Sequence, residues 1–208
     1  MKIDKTSRNL LIALTIGDGY IHNKNGTLSF RHCPKQKEYV EWKSNELKKN
    51  GINNTGAYWV KNHIWGGYEL RTYSMKFLKL LRKIIYKNGK KTITRKLLNR
   101  LDKRAIAIWY MDDGSLSNRK DKNGTVTASV LTLCTCTTKE NNQIIIDYFD
   151  EVWGIKFGQR KMKEHFALIC GTREARKFIK IVEETVKEIQ CMHYKLDVKK
   201  EPLKFSEK

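Results

Sequence analysis

The chain has no run of about 18 uncharged apolar residues, so a membrane-spanning helix is excluded. Its opening residues, MKIDKTSRN, have neither the apolar core of a signal peptide nor the long arginine- and serine-rich character of a transit peptide. Cysteine is sparse and odd in number: Cys33, Cys134, Cys136, Cys170 and Cys191 are scattered through apolar or strand-like surroundings. That excludes a disulfide framework and reads as reduced core thiols of an intracellular protein. Cys134 and Cys136 stand too close together for a structural zinc site and have no second ligand pair at suitable spacing. Acidic residues are also scarce, with 22 Asp and Glu against 42 Lys and Arg, a formal charge of +20. A surplus of that size points to a polyanionic partner, of which nucleic acid is the commonest. Apolar residues at 40% and aromatics at 10% of the 208 positions belong to a folded chain rather than a disordered one.

The organising feature is a stretch that occurs twice. LIALTIGDG (residues 11–19) recurs as IAIWYMDDG (residues 106–114), each an apolar run of helical character that delivers an aspartate and a glycine where it stops. Asp18 and Asp113 are the carboxylates so presented. Gly19 and Gly114 suit a left-handed helix terminus, and Ala13 with Gly17 makes a narrow face on which a second helix can approach closely. One such run reads as an ordinary core helix. Two carboxylates brought together inside a fold repel each other and require a cation or protonation, and a divalent metal between them is the arrangement of phosphodiester cleavage.

The order of elements repeats as well. After the first motif come a strand at 27–31, a helix at 36–49 closed by Asn50-Gly51, a hairpin at 57–61 and 68–73 joined through 62–67, an amphipathic helix at 75–87, and the basic Lys90, Lys91, Arg95 and Lys96. After the second come a strand at 126–136, a helix introduced by a Thr137/Glu140 capping box and ended by Gly154, a hairpin at 155–163 and 165–171, and a closing helix at 173–189. Asp4, Thr6 or Ser7 can cap the first motif helix, and Asp102 the second. The expected fold is α+β: two αββαββα-type repeats, 1–100 and 101–208, related by a pseudo-twofold axis, with the motif helices packed at the interface and two antiparallel sheets forming a saddle. Its candidate nucleic-acid face carries Arg31, Lys35, Lys61, Arg71, Tyr73, Arg160, Lys161 and Lys163. Singly each is an ordinary solvated side chain; together they favour a DNA major groove.

These residues resemble the two signature motifs of LAGLIDADG homing endonucleases, in the single-chain branch that carries both copies, and the likeness covers nearly the whole chain. The resemblance implies that Asp18 and Asp113 bind Mg2+, with Mn2+ able to substitute, and that the carbonyls of Gly17 and Asp112 supplement them. It implies double-stranded DNA as partner, bound by a monomer with internal pseudosymmetry, each half cutting one strand to leave 3′ overhangs. Lys91 in GKKTI and Lys195 in HYKLD match the basic segments that return a lysine to the active site, with Lys90 a rival to Lys91. Asymmetric motifs, with Ile108 at the motif position that Ala13 holds in the first copy and Asp112 in place of a small residue, imply an asymmetric target. An intron RNA-splicing maturase and a non-cleaving DNA-binding regulator are the alternatives on the same scaffold. Richness in lysine, asparagine and isoleucine fits an AT-rich genome, and so an organelle (mitochondrion or chloroplast) or a phage or bacterial cytoplasm.

Overall fold

The computed structural model describes residues 3–61 and 66–198. In chain order its first elements are Lys5–Ile16 (α1), Tyr20–Ile21 (β1), Leu28–His32 (β2), a 3-10 turn at Pro34–Gln36, Lys37–Lys49 (α2), Tyr58–Lys61 (β3), Gly66–Arg71 (β4), Lys76–Ile85 (α3), Tyr86–Lys87 (β5), Lys90–Lys91 (β6) and Arg95–Leu98 (α4). The second half comprises Lys103–Asp113 (α5), Gly114–Lys120 (β7), Val126–Thr137 (β8), Lys139–Trp153 (α6), Gly158–Met162 (β9), His165–Cys170 (β10), Thr172–Val186 (α7) and a 3-10 segment at Gln190–Leu196. Residues 62–65 of the expected hairpin turn lie outside the described residues.

Two four-stranded antiparallel sheets share one topology, β1-β2-β4-β3 and β7-β8-β10-β9. The fold is therefore α+β, as the repeated order of elements anticipates. Several elements escaped that reading, the short helix α4 in the basic segment among them. β7 starts directly at Gly114 with no linker and pairs along β8 from Gly114–Leu133 to Lys120–Val126; its polar sequence GSLSNRK gives no apolar alternation to detect. The small β5–β6 hairpin takes the place of the last turn expected of α3 and carries Lys91 inward.

The motif helices form the centre. α1 buries every residue from Asn9 to Ile16, and α5 every residue from Ala105 to Met111, so neither has a solvent face over those turns. Helices apolar on all sides must be surrounded by protein, and they pack on each other and beneath the sheets. Asp4 caps α1 by accepting from the Ser7 amide at 2.7 Å, and Asp102 caps α5 through the Ala105 amide at 2.9 Å. In α6 the cap is Thr138 rather than Thr137, accepting from the Asn141 amide, while Thr137 accepts from the Asn141 side chain. Gly154 closes α6 in the left-handed region at φ 63°.

Gly19 and Gly114 are not left-handed, which corrects the expectation of such a terminus: neither is among the glycines with positive φ. They are needed for close approach instead. A Cβ on Gly19 would stand 2.2 Å from the Leu14 carbonyl oxygen, and one on Gly114 would stand 2.0 Å from the Tyr110 ring. At Gly17 a Cβ would lie 2.2 Å from Asp112 Oδ2, across the helix pair. Gly17→Ala is expected to cost about 1–3 kcal/mol as an overpacked site, measured as a lower denaturant midpoint with unchanged slope.

Candidate active site

α1 and α5 end side by side, and the segments that leave the two helices converge on one place. Asp112, the last but one residue of α5, reaches across the interface, where its Oδ2 accepts the Asp18 amide at 3.1 Å. Its Oδ1 accepts from Lys43 Nζ at 2.6 Å and from Tyr39 Oη at 2.8 Å, both from α2. Lys43 and Asp112 have no exposed side-chain surface. Burial pushes the Asp112 carboxyl up, but Lys43, His32 and the Tyr39 hydroxyl overcome it, and the group is held below the usual carboxylate range. Tyr39 moves the other way, pushed well above an ordinary phenol by burial and by Asp112.

Asp18 and Asp113 are placed differently from Asp112. Burial raises the Asp18 carboxyl, Asp112 adds to that, and Lys43, Lys91 and Lys195 oppose it. Asp113 is pushed up to about 7 by burial first, then by the charges of Asp112 and Asp18, against Lys91 and a hydrogen bond from Trp109 Nε1 to its Oδ2 at 3.0 Å. So the two motif carboxylates sit in a shared field, with nearby lysines opposing their mutual repulsion. Lys91, not the exposed Lys90, turns inward and donates to the Gly17 carbonyl oxygen. Lys195 arrives from the 3-10 segment and donates to the carbonyls of Met111 and Gly114 at 2.5 and 2.7 Å. Burial lowers both lysines, and Asp18, Asp112 and Asp113 partly restore each of them. Both sequence-selected lysines therefore face the three aspartates, one bound to each motif-helix end.

The metal-free site has a pH signature. The Asp113 carboxyl titrates near 7 in the folded chain but at about 4 when unfolded, so its contribution to stability is complete below the lower value and lost as pH rises through the upper one. His32 works oppositely: burial first, then Lys43, lowers it to about 3 against Asp112 and Gln36, so it withdraws stability on acidification. Comparison with Asp113→Asn isolates the first effect. That variant is expected to melt above the wild type at pH 8 in chelator, with the gain shrinking at pH 5.

Strand register sorts the proposed basic surface. Arg31 lies across from Glu69, Ser29 from Arg71 and Glu69 from Tyr58, so these side chains share the outer face of the first sheet. They form a cluster in which Arg31, Tyr58 and Arg71 donate to Glu69 at 2.7, 2.7 and 3.0 Å. Lys61 has the opposite parity, on the face of Trp59 and Tyr68. In the second sheet Arg160 lies across from Ala167, while Lys161 lies across from Phe166 on the other face. Expecting all of them on one face is corrected by this alternation: adjacent residues of a strand cannot share a face. Lys35 sits on the exposed 3-10 turn, Lys163 in the β9–β10 turn at φ 53°, and Tyr73 lines a cleft of about 640 Å³ with Ile52, Met75 and Phe77. The outer face of β7 adds Ser115, Ser117 and Arg119, which pair with Thr132, Val130 and Ala128.

A profile of the LAGLIDADG DNA endonuclease family matches residues 8–178, spanning both motif helices and both sheets. The chain belongs to that family. The structure of the homing endonuclease I-WcaI bound to its DNA recognition sequence matches this LAGLIDADG chain with a TM-score of 0.77 at 25% identity, covering 95% of this chain and 88% of that one. Probable intron-encoded endonuclease 1 of Wickerhamomyces canadensis is 31% identical over 131 residues, 58% of this chain and 56% of that protein. Protein RecA of Mycobacterium gastri is 26% identical over 207 residues, which is 90% of this chain but 46% of that protein. The LAGLIDADG chain thus spans just under half the length of that RecA relative.

Sequence reasoning missed His32, Tyr39 and Lys43. One signal was available: Lys43 lies four residues after Tyr39 and four before Leu47, on the stripe that α2 buries.

Proposed function

We propose that the chain is a site-specific homing endonuclease that breaks both strands of a long, asymmetric DNA site by metal-dependent phosphodiester hydrolysis, leaving 3′ overhangs. The observation that carries this reading is the convergence of Asp18, Asp113, Lys91 and Lys195 at the paired ends of α1 and α5. The donor set fits a hard divalent ion. Among the described residues the Asp18 carboxylate accepts no hydrogen bond and Asp113 accepts one, from Trp109. Asp112 is already satisfied by the Asp18 amide, Lys43 and Tyr39, so its side chain is a poor ligand. Asp18 and Asp113 would hold the ion, Mg2+ with Mn2+ able to replace it, which supplies Lewis-acid activation and neutralises charge at the phosphate.

The remaining work falls to the protein. Lys91 and Lys195, held against helix-end carbonyls, place two cations where charge grows on the phosphate, which favours the transition state over the ground state. Trp109 fixes the Asp113 rotamer through its indole N–H. Arg31, Arg71, Arg160 and Arg119 on the outer sheet faces supply donors for phosphates and base edges, with one half of the chain on each half of the target. Binding is expected to weaken steeply with salt, with log K falling linearly against log salt and a slope set by the number of phosphates contacted; a flat titration between 50 and 200 mM, roughly the range over which such binding responds, contradicts the DNA assignment. The decisive experiment selects cleaved sites from a randomised DNA library with Mg2+ present. Recovery of one long asymmetric sequence supports the reading, whereas no cleavage with tight binding to a structured intron RNA supports a maturase instead.

A further inference from the structure

The site contains a buried cation that no part of the proposed chemistry uses. Lys43 Nζ lies 2.6 Å from Asp112 Oδ1 and 2.9 Å from His32 Nε2, with its side chain wholly out of solvent. An ammonium group only donates, so His32 Nε2 accepts and the ring proton resides on Nδ1. That nitrogen faces Asp18 Oδ2 at 3.7 Å, longer than a direct hydrogen bond. The other partner of Lys43, Asp112, holds the Asp18 backbone amide. Lys43 therefore sets two groups, and both bear on the same aspartate, one on its carboxylate and one on its main chain.

Among the described residues no such charged network serves Asp113, whose carboxylate accepts from Trp109 Nε1. Aligning the glycines that end α2 and α6, Gly51 and Gly154, places His32 on Thr135, Tyr39 on Asn142 and Lys43 on Ile146. The corresponding pair in the second half is neutral: Thr135 Oγ1 donates to Asn142 Oδ1 at 2.5 Å, and Ile146 packs on the core. Asp112 itself corresponds to Gly17 in the other motif. All four members of the network thus lack a counterpart of the same chemistry.

We propose that Lys43 is a positioning residue for Asp18 alone, acting through Asp112 and the tautomer of His32, so that the two strand-cleaving centres are unequally supported. A cluster of Asp18, His32 and Asp112, with ligand atoms within 4.8 Å of one another, also has the makings of a metal site. Lys43 argues against it, because ligation through His32 Nδ1 requires removal of the proton that Lys43 directs there. His32 is thereby an orienting group and not a ligand.

The proposal rests on the endonuclease reading, and its test separates the two. Ring nitrogen shifts of His32 in the metal-free protein at pH 7, recorded by 15N NMR, are expected to show the Nδ1–H tautomer; the Nε2–H form overturns the proposal whatever the protein does to DNA. Lys43→Met alone strands a buried carboxylate and can fail to fold, so the cleavage variant is Lys43→Met with Asp112→Asn. That pair is uncharged and keeps an amide oxygen for the Asp18 N–H. It is expected to move His32 toward Nε2–H and to slow cleavage of one strand by about 10- to 100-fold, with the other strand changed less than about threefold, so that nicked plasmid accumulates. A ratio of strand rates equal to that of the wild type, or an unchanged tautomer, overturns the proposal. Failure of the wild type itself to cleave any selected site removes the endonuclease reading and this inference with it, while the tautomer result still reports whether the network exists.

Discussion

Asp18→Asn and Asp113→Asn are each expected to lower double-strand cleavage by at least on the order of 10²- to 10³-fold, comparable to removing a preorganised electrostatic group from a catalytic centre, while DNA affinity changes only a few-fold. The reason lies in geometry and charge. Both side chains stand where a helix buried over its last turns comes to an end, and both are raised above ordinary carboxylates, Asp18 although its side chain is 39% exposed. A protein that merely required a folded helix end would prefer asparagine at 113, since the amide avoids the cost of a largely buried charge. Asp113→Asn should therefore remove activity and raise thermal stability, a pairing that a purely structural role does not produce. Gel-based cleavage of the selected target, with binding measured in parallel in Ca2+, separates catalysis from affinity. Full cleavage by either variant refutes the assignment of its aspartate.

Lys43→Met is expected to produce the largest loss of stability of any single substitution discussed. Lys43 and Asp112 have no exposed side-chain surface, and removal of one partner leaves the other as an uncompensated buried charge. Such losses run to about 3–5 kcal/mol, and for a chain of this size each kcal/mol moves the melting temperature by roughly 2–4 °C. A fall of roughly 6–20 °C is the expected result, measured by thermal unfolding in chelator. The companion Asp112→Asn should recover most of it, because a neutral buried pair asks for no compensation, and the double-mutant cycle reports the coupling directly. Additive effects of the two substitutions would mean that the ion pair seen in the structure does not govern the stability of this site.

The exposed charges do not behave this way. Arg104 links the halves by donating to Glu46 and to both oxygens of Glu188, yet it is 38% exposed, so solvent screens much of that attraction. It orients α2, α5 and the end of α7 rather than anchoring them. The firm contact between the halves is the α1–α5 pair, where a glycine at 17 leaves room for the Asp112 carboxylate.

The repeated motif, the alternating strands and the basic segments were legible because each is a local pattern with a fixed period or a fixed order. The carboxylates could be found because an acidic residue at the end of an apolar helix is a conspicuous conflict in the sequence itself. Lys91 could be found only through family likeness, and the β5–β6 hairpin that delivers it had no pattern of its own. Lys43, His32 and Tyr39 were not legible as a group, since β2 and α2 bring them to Asp112 only in the folded chain, across 69 residues of sequence for Lys43. The basic surface was misjudged for a related reason. A list of cations along a strand ignores parity, and register sends Lys61 and Lys161 away from Arg31 and Arg160. β7 escaped because a strand exposed on one face and short on apolar residues looks like a loop until a neighbour pairs with it.

The most direct test is an anomalous-scattering map from crystals of the protein with its selected DNA and Mn2+. A peak ligated by oxygens of both Asp18 and Asp113, against the DNA backbone and beside Lys91 or Lys195, is the predicted result. A peak held by Asp18, His32 and Asp112, or Mn2+ bound away from the paired ends of α1 and α5, would contradict it.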